Sequence, residues 1–132
     1  MTTTNLSTSL AELERVSPDR VVVRVRPGSQ LSIENIRETR DACLRVTQGG
    51  PCEVLIHLPE STDFQLNVMM VNFQTDHEAA NRHAKAIAFV TPGDLNARML
   101  DIYFRYNPVV TPVAMFTTGS EAEDWFKAGA PM

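Results

Sequence analysis

The stretch His77–Asn81 is the part of the chain that most resembles a chemical motif, because it begins like the zinc-binding sequence HExxH. That motif places two histidines at i and i+4 on one helix face, where both can bind Zn²⁺. Here Asn81 stands at the second histidine position, and His83 lies about 240° around a helix from His77. We therefore expect surface histidines, no metal site and no cofactor.

The other reactive side chains are isolated from one another. His57 ends a predicted strand, at the sheet edge where ligands bind in open α/β folds, although a structural role is favoured for it. Cys43 falls on the apolar face of a predicted helix and Cys52 enters a strand, so both are expected to be inert free thiols. The sequence has no phosphate-binding loop and no nucleophile motif. We expect no catalytic residue and no enzymatic activity.

Length and composition describe a single globular domain. A chain of 132 residues with 12 basic and 16 acidic side chains, and without a basic cluster, argues against a nucleic-acid surface. No apolar run approaches the ~20 residues of a membrane span. Residues 1–9 are rich in Ser and Thr and lack the features of a signal peptide, so they are predicted to be a disordered leader. The domain is predicted over residues 10–132, in the cytoplasm.

The C-terminal half alternates strands with helices. The order is strand, helix, strand, helix, over Ala86–Val90, Asp94–Tyr106, Pro112–Phe116 and Ser120–Lys127. Such alternation needs crossover connections and predicts an α/β fold with a mostly parallel sheet. Ser120 and Glu123 have the spacing of a capping box for the last helix.

The N-terminal half adds a hairpin and one further helix–strand unit. Ala11–Val16 and Val21–Val25 flank a turn-forming cluster, which predicts a β-hairpin. Ser32 is the predicted N-cap of an amphipathic helix that ends near Gly49, and Val54–Ile56 is the next buried strand.

The segment 64–74 fits two structures. A helix would align Leu66, Met69, Met70 and Phe73. Strict alternation, which indicates a strand, would align Phe64, Leu66, Val68 and Met70. We expect a helix, because a parallel sheet requires a crossover at this point.

The helix Asp94–Tyr106 has a narrow charged stripe and an unusually wide apolar arc. One apolar flank consists of Leu95, Met99, Ile102 and Tyr106, the other consists of Ala97, Leu100 and Phe104, and Tyr103 lies between them. A sheet needs an arc of only about 100°. The excess is explained either by burial against a neighbouring helix or by a partner surface. We expect the flank with Leu95 to pack on the sheet. Leu100 and Phe104, with the edge of Tyr103, should then form a surface for a homodimer or another protein partner.

The order of elements, with the closing Pro112–Phe116 strand and the acidic, Trp-bearing helix around Trp125, resembles a known group of bacterial proteins. The group is the SpoIIAA-like fold, which includes STAS domains and the Sec14 (CRAL-TRIO) lipid carriers. The resemblance covers about residues 11–128. It implies an N-terminal β-hairpin followed by repeated α-β units around a mostly parallel sheet.

Two kinds of site follow from this resemblance. STAS anti-sigma-factor antagonists are switched by phosphorylation of a serine in an Asp-Ser-Ser-Gly type motif, which is absent here. In the corresponding region Ser61 and Thr62 are possible phospho-acceptors, although hydroxyls there are more often caps. The Sec14 carriers imply an apolar pocket. Its candidate lining residues are Phe64, Met69, Met70, Phe73 and Phe104.

The function predicted from the sequence is therefore that of a non-enzymatic, cytoplasmic protein-interaction or regulatory module. The alternative is a carrier of a small apolar or lipid-like ligand.

Overall fold

The computed structural model of the chain describes residues 5–47, 51–60, 62–71, 84–109 and 111–129. The strands in these ranges are β1 (Asn5–Ser7), β2 (Ala11–Ser17), β3 (Arg20–Val25), β4 (Gln30–Leu31), β5 (Cys52–His57), β6 (Asp63–Phe64), β7 (Ala84–Val90) and β8 (Val113–Phe116). The helices are α1 (Ile33–Thr47), a 3₁₀ helix (Leu66–Met70), α2 (Asp94–Tyr106) and α3 (Gly119–Lys127). The predicted α/β class is confirmed.

A mixed sheet of six strands forms the centre of the molecule, in the order β1-β2-β3-β5-β7-β8. The first two pairings are antiparallel, and the pairings of β3 with β5, β5 with β7 and β7 with β8 are parallel. A separate two-stranded parallel sheet pairs β4 with β6. The predicted hairpin is present as β2 and β3, and it leads directly into the parallel part of the sheet.

The connections explain why the helices divide between the two faces. From β3 to β8 each parallel strand lies one place further in the same direction. Right-handed crossovers then place every connecting helix on one face. Accordingly, α1 and α2 share a buried cluster that includes Val46 and Leu100. Helix α3 follows the last strand and covers the other face, where Ala122 and Phe126 pack beside Ala88.

The capping signals explain where the helices begin. The Ser32 hydroxyl accepts a hydrogen bond from the Asn35 backbone N–H at 3.1 Å, as predicted for the N-cap of α1. The predicted capping box of α3 was wrong by two residues. The Thr118 side chain accepts from the Glu121 backbone N–H, and the Glu121 carboxylate accepts from the Thr118 backbone N–H. The sequence contains both spacings, and the N-cap is the residue with extended backbone, here Thr118.

The structure differs from the sequence-based expectation in two short segments. Asn5–Ser7 pairs with β2 as an edge strand, within the residues that were expected to be a disordered leader. The segment predicted as a helix begins with the short strand β6 and continues as a 3₁₀ helix of 5 residues. The remaining part of that segment, the predicted helix start at Thr75 and the histidines His77 and His83 lie outside the described residues.

Helix α2 packs with the opposite flank from the one expected. Its buried positions are Asn96, Leu100 and Tyr103, which lie on one stripe of the helix, and the buried C-cap residue Asn107 continues that stripe. Leu95, Ile102 and Tyr106, which were expected to pack on the sheet, are exposed. No helix among the described residues is long and apolar enough to cross a membrane.

Candidate functional site

A largely apolar cavity of about 200 Å³ lies between the sheet and the helices α1 and α2. Alternate residues of three neighbouring strands face it, since successive side chains of a strand point to opposite faces. These residues are Val23, Val25, Val54, Ile56, Ile87 and Phe89. Three of the six are valines, whose short side chains leave volume above the sheet.

Two helices form opposite walls of the cavity. Ile36, Arg40 and Cys43 of α1 face it, at the i, i+4, i+7 spacing that places them on one side of a helix. From α2, Leu100 and Phe104 contribute apolar side chains, and Tyr103 contributes its ring. The rings of Phe89 and Phe104 pack against each other, with 5.9 Å between centroids, so the wall and the sheet are joined at that corner.

A third wall consists of the segment after β5, including Phe64 and Val68. Polar side chains of α2 fix this segment through its backbone. Asn96 Nδ2 donates to the Pro59 carbonyl oxygen at 2.7 Å, and Tyr103 Oη donates to the Val71 carbonyl oxygen at 2.7 Å. Asn107 Nδ2 donates to the Met69 carbonyl oxygen at 2.9 Å. These hydrogen bonds therefore join the third wall to α2 and the residue that follows it.

The polar residues at the cavity wall are Thr39, Arg40 and Tyr103. The two hydroxyl groups are used within the protein, because Thr39 Oγ1 donates to the Asn35 carbonyl oxygen at 2.9 Å and Tyr103 donates as described. The Arg40 guanidinium lies 3.2 Å from the Asp41 carboxylate. The Arg40 side chain is 11% exposed and that of Asp41 is 56% exposed, so this ion pair lies at the boundary between the cavity wall and solvent.

Comparison with known protein families assigns the chain to one of them. The family model described as a domain of unknown function, DUF7793, matches residues 19–129. The chain belongs to this family. No curated protein and no solved structure matches it.

In this DUF7793 chain only some of the residues predicted to line a pocket lie at the cavity. Phe64 and Phe104 line the cavity. Met69 is half-buried, and its carbonyl oxygen accepts the bond from Asn107, whereas Met70 is 84% exposed. Phe73 lies outside the described residues. Most of the wall comes instead from β3, β5, β7 and α1. The apolar stripe of α1 was the sequence signal for part of that wall.

The predicted partner surface of α2 is not at the surface of the protomer. Leu100 and Tyr103 are buried, and Phe104 is half-buried against Phe89. All three line the cavity. A second copy of the chain could not reach Leu100 or Tyr103 without disturbing the core.

Of the two candidate phospho-acceptors, the structure describes only Thr62. Thr62 is buried, and its hydroxyl oxygen has no hydrogen-bond partner among the described residues. A kinase could reach it only if the segment opened. Ser61 lies outside the described residues.

A cluster of charged groups lies on the opposite face of the sheet, beside α3. Arg20 Nη2 lies 2.7 Å from Glu53 Oε1, and the same guanidinium pairs with Glu123 and lies 4.4 Å from the centre of the Phe126 ring. These contacts join α3 to β3 and β5. His57 lies at the carboxyl end of β5, where burial lowers its pKa, with a further decrease from Arg24.

The two cysteines are buried, free and unreactive in character, as the sequence predicted. Burial raises the pKa of the Cys43 thiol to about 12 and also raises that of Cys52. A thiol that stays protonated at neutral pH is a poor nucleophile. No group of three or more possible metal ligands occurs within the described part of the chain.

Proposed function

We propose that this DUF7793 protein is a cytoplasmic, non-enzymatic binding protein for a small apolar ligand, and that the ligand occupies the cavity between the sheet, α1 and α2. The single observation that supports this function is the cavity itself, with its volume of about 200 Å³ and its apolar lining. The carrier function, which was the alternative drawn from the sequence, is thereby favoured over a purely protein-binding role.

The energetic cost of leaving this volume empty supports a ligand. Unfilled apolar volume in a fold is unfavourable, because the side chains that line it lose packing contacts. A whole domain is stable by only about 5–15 kcal/mol. A bound apolar molecule would restore packing contacts along the cavity wall and recover part of the energy lost with those contacts.

The size and chemistry of the cavity define the class of ligand. An engineered cavity of about 150 Å³ lined by aliphatic and aromatic residues binds benzene. The present cavity is somewhat larger, and strands β3, β5 and β7 line it with Val, Ile and Phe side chains. It therefore suits a single aromatic ring or an alkyl chain of about six to eight carbons.

Calorimetric titration with a series of straight-chain alcohols, from butanol to decanol, tests the function. Each CH₂ that enters an apolar site contributes about 0.8 kcal/mol, so the Kd should fall about fourfold per carbon. It should stop falling once the chain fills the cavity. Absence of saturable binding would contradict the function. So would a Kd that keeps falling through decanol, because that pattern indicates adsorption on open apolar surface.

A matched pair of variants separates the cavity from the rest of α1. Cys43→Phe places a ring into the cavity and should abolish alcohol binding without lowering the melting temperature, since it fills empty space. Leu44→Phe places the same ring at the next position, outside the cavity wall, and should leave binding unchanged. Equal binding by both variants would place the alcohol elsewhere.

Self-association is a second candidate function, supported by the exposed flank of α2. Leu95, Ile102 and Tyr106 are exposed by 54%, 41% and 77%, and they align on one side of the helix. Exposed apolar stripes often mark contact sites, and twofold dimers are the commonest oligomers. Sedimentation of the wild type and of Ile102→Asp tests this. A dimer that the substitution converts to a monomer is expected, and a wild type that remains monomeric at tens of micromolar contradicts it.

We also propose that the fold is SpoIIAA-like. The N-terminal hairpin followed by α-β units that add strands in one direction supports this assignment. A crystal structure that superimposes on STAS domains through all six strands would support it further, and one with a different strand order would exclude it.

A further inference from the structure

We infer that the ligand of the cavity contains an aromatic ring, and that Phe104 makes the cavity prefer such a ring to a saturated one. This inference rests on the proposed function and adds the ligand's chemical class. The compounds it describes are small molecules with a single benzene-type ring.

The concentration of aromatic side chains at the cavity is the first observation. The chain has six phenylalanines, two tyrosines and one tryptophan. Four of these residues line the cavity, and they come from three of its walls: Phe64 from β6, Phe89 from β7, and Tyr103 and Phe104 from α2. A guest that fills the cavity therefore contacts rings on more than one side, in addition to the aliphatic side chains of the sheet.

The arrangement of three of these rings is the second observation. The Phe104 ring packs at 86° to that of Tyr103, with 5.0 Å between centroids, and at 56° to that of Phe89, with 5.9 Å between centroids. Rings attract each other in such geometries, because the positive edge of one faces the negative face of the other. The Tyr103 hydroxyl also donates to the Val71 carbonyl oxygen at 2.7 Å, which fixes this ring. A guest meets rings that are already ordered, so little conformational entropy is lost when it binds.

The uncovered surface of the phenylalanines is the third observation. Phenylalanine is one of the residues most often fully buried in a core. Phe64, Phe89 and Phe104 are only half-buried, so protein atoms cover only part of each ring. A guest ring in the cavity can cover more of this surface and extend the series of tilted ring contacts. A saturated ring can cover the same surface, but it lacks the charge distribution on which these contacts depend.

Two ligands with the same carbon skeleton test the preference. These are 2-phenylethanol and 2-cyclohexylethanol, and the saturated compound has the larger apolar surface, so burial alone favours it. In calorimetric titration the wild-type protein should nevertheless bind 2-phenylethanol at least about twofold more tightly, because ring contacts contribute beyond the area that they bury. Equal binding of the two compounds, or tighter binding of 2-cyclohexylethanol, would overturn the inference.

Substitution of Phe104 assigns the preference to this ring. Phe104→Leu keeps an apolar side chain but removes the ring, so the ratio of the Kd for 2-cyclohexylethanol to that for 2-phenylethanol should fall about threefold. The ratio cancels a general loss of packing, which weakens both ligands alike. Phe116→Leu is the matched control, since Phe116 packs beside Trp125 on the other face of the sheet, and it should change the ratio by less than about 1.5-fold. An unchanged ratio in Phe104→Leu, or an equal fall in both variants, would overturn the inference.

The outcomes distinguish this inference from the function on which it rests. Binding of both ring compounds without a preference for the aromatic one would leave the apolar site intact and remove the aromatic class of ligand. Failure of both ring compounds and of the straight-chain alcohols to bind would remove both. If Phe104→Leu does not fold, the two ring compounds on the wild type decide the question.

Discussion

At the scale of single residues, His57 is a group whose pKa changes on folding. It lies in register with Arg24 of β3 and close to Gly119 at the start of α3. Burial lowers its pKa from the ordinary value of 6.5, Arg24 lowers it further, and Glu123 acts in the opposite direction. The folded protein therefore favours the neutral imidazole.

This depressed pKa predicts a loss of stability in mild acid. Between the folded pKa of His57 and its unfolded value of 6.5, the unfolded chain binds more protons, so the free energy of unfolding falls as pH drops through 6.5. Urea unfolding at about pH 7.5 and about pH 5 should show a smaller loss for His57→Gln than for the wild type. An identical loss in both proteins would mean that the pKa of His57 does not change on folding.

The asparagines of α2 show why the packing of that helix could not be predicted from hydropathy. Asn96 and Asn107 lie on the buried stripe, and their amides donate to backbone carbonyl oxygens of the segment after β5. A hydropathy pattern assigns asparagine to the solvent side, and so gives no sign that this stripe of the helix is the buried one. Only the tertiary structure shows which buried carbonyl groups these amides satisfy.

At the scale of secondary-structure elements, a pair of substitutions tests the orientation of α2. Leu100→Asp would bury a carboxylate in the core without a partner, and should lower the free energy of unfolding by about 3 kcal/mol or more. Ile102→Asp lies on the exposed flank and should change it by less than about 1 kcal/mol. Chemical denaturation of both variants measures the difference. The reverse order would mean that the opposite flank packs on the sheet.

The start of α3 offers a second test at this scale. Thr118→Ala removes the side chain that accepts from the Glu121 backbone N–H, and should cost about 1 kcal/mol. Ser120→Ala, at the position predicted from the sequence, should be nearly neutral because Ser120 already lies within the helix. Thermal unfolding of the two variants compares these costs. A larger loss for Ser120→Ala would move the helix start to that residue.

Long periodic elements were predictable, and short ones were not. Helix α2 was predicted over its full range, and β2, β3, β5, β7 and β8 to within a few residues, because each carries a repeated apolar pattern. Strands β1, β4 and β6 have two or three residues, which is too few for a pattern, and they form only because neighbouring backbone is available. Their pairings come from the tertiary fold.

At the scale of the whole molecule, the cavity is the feature that the sequence could not show. Val23, Val54 and Ile87 belong to strands that were predicted from apolar runs, and the structure buries all three in the core. An apolar pattern in the sequence does not show whether the side chains of the sheet reach those of the helices packed on it. Here an apolar volume of about 200 Å³ remains between the sheet, with its short valine side chains, and the helices α1 and α2.

Crystallography of the protein under xenon pressure tests most directly whether this cavity exists and admits an apolar guest. Xenon enters dry apolar cavities of about 150 Å³ and gives a strong anomalous signal. Xenon should bind between Val23, Phe64 and Leu100, and the Cys43→Phe variant should show none at that position. A wild-type crystal in which those side chains touch and no xenon binds between them would contradict the ligand-binding function.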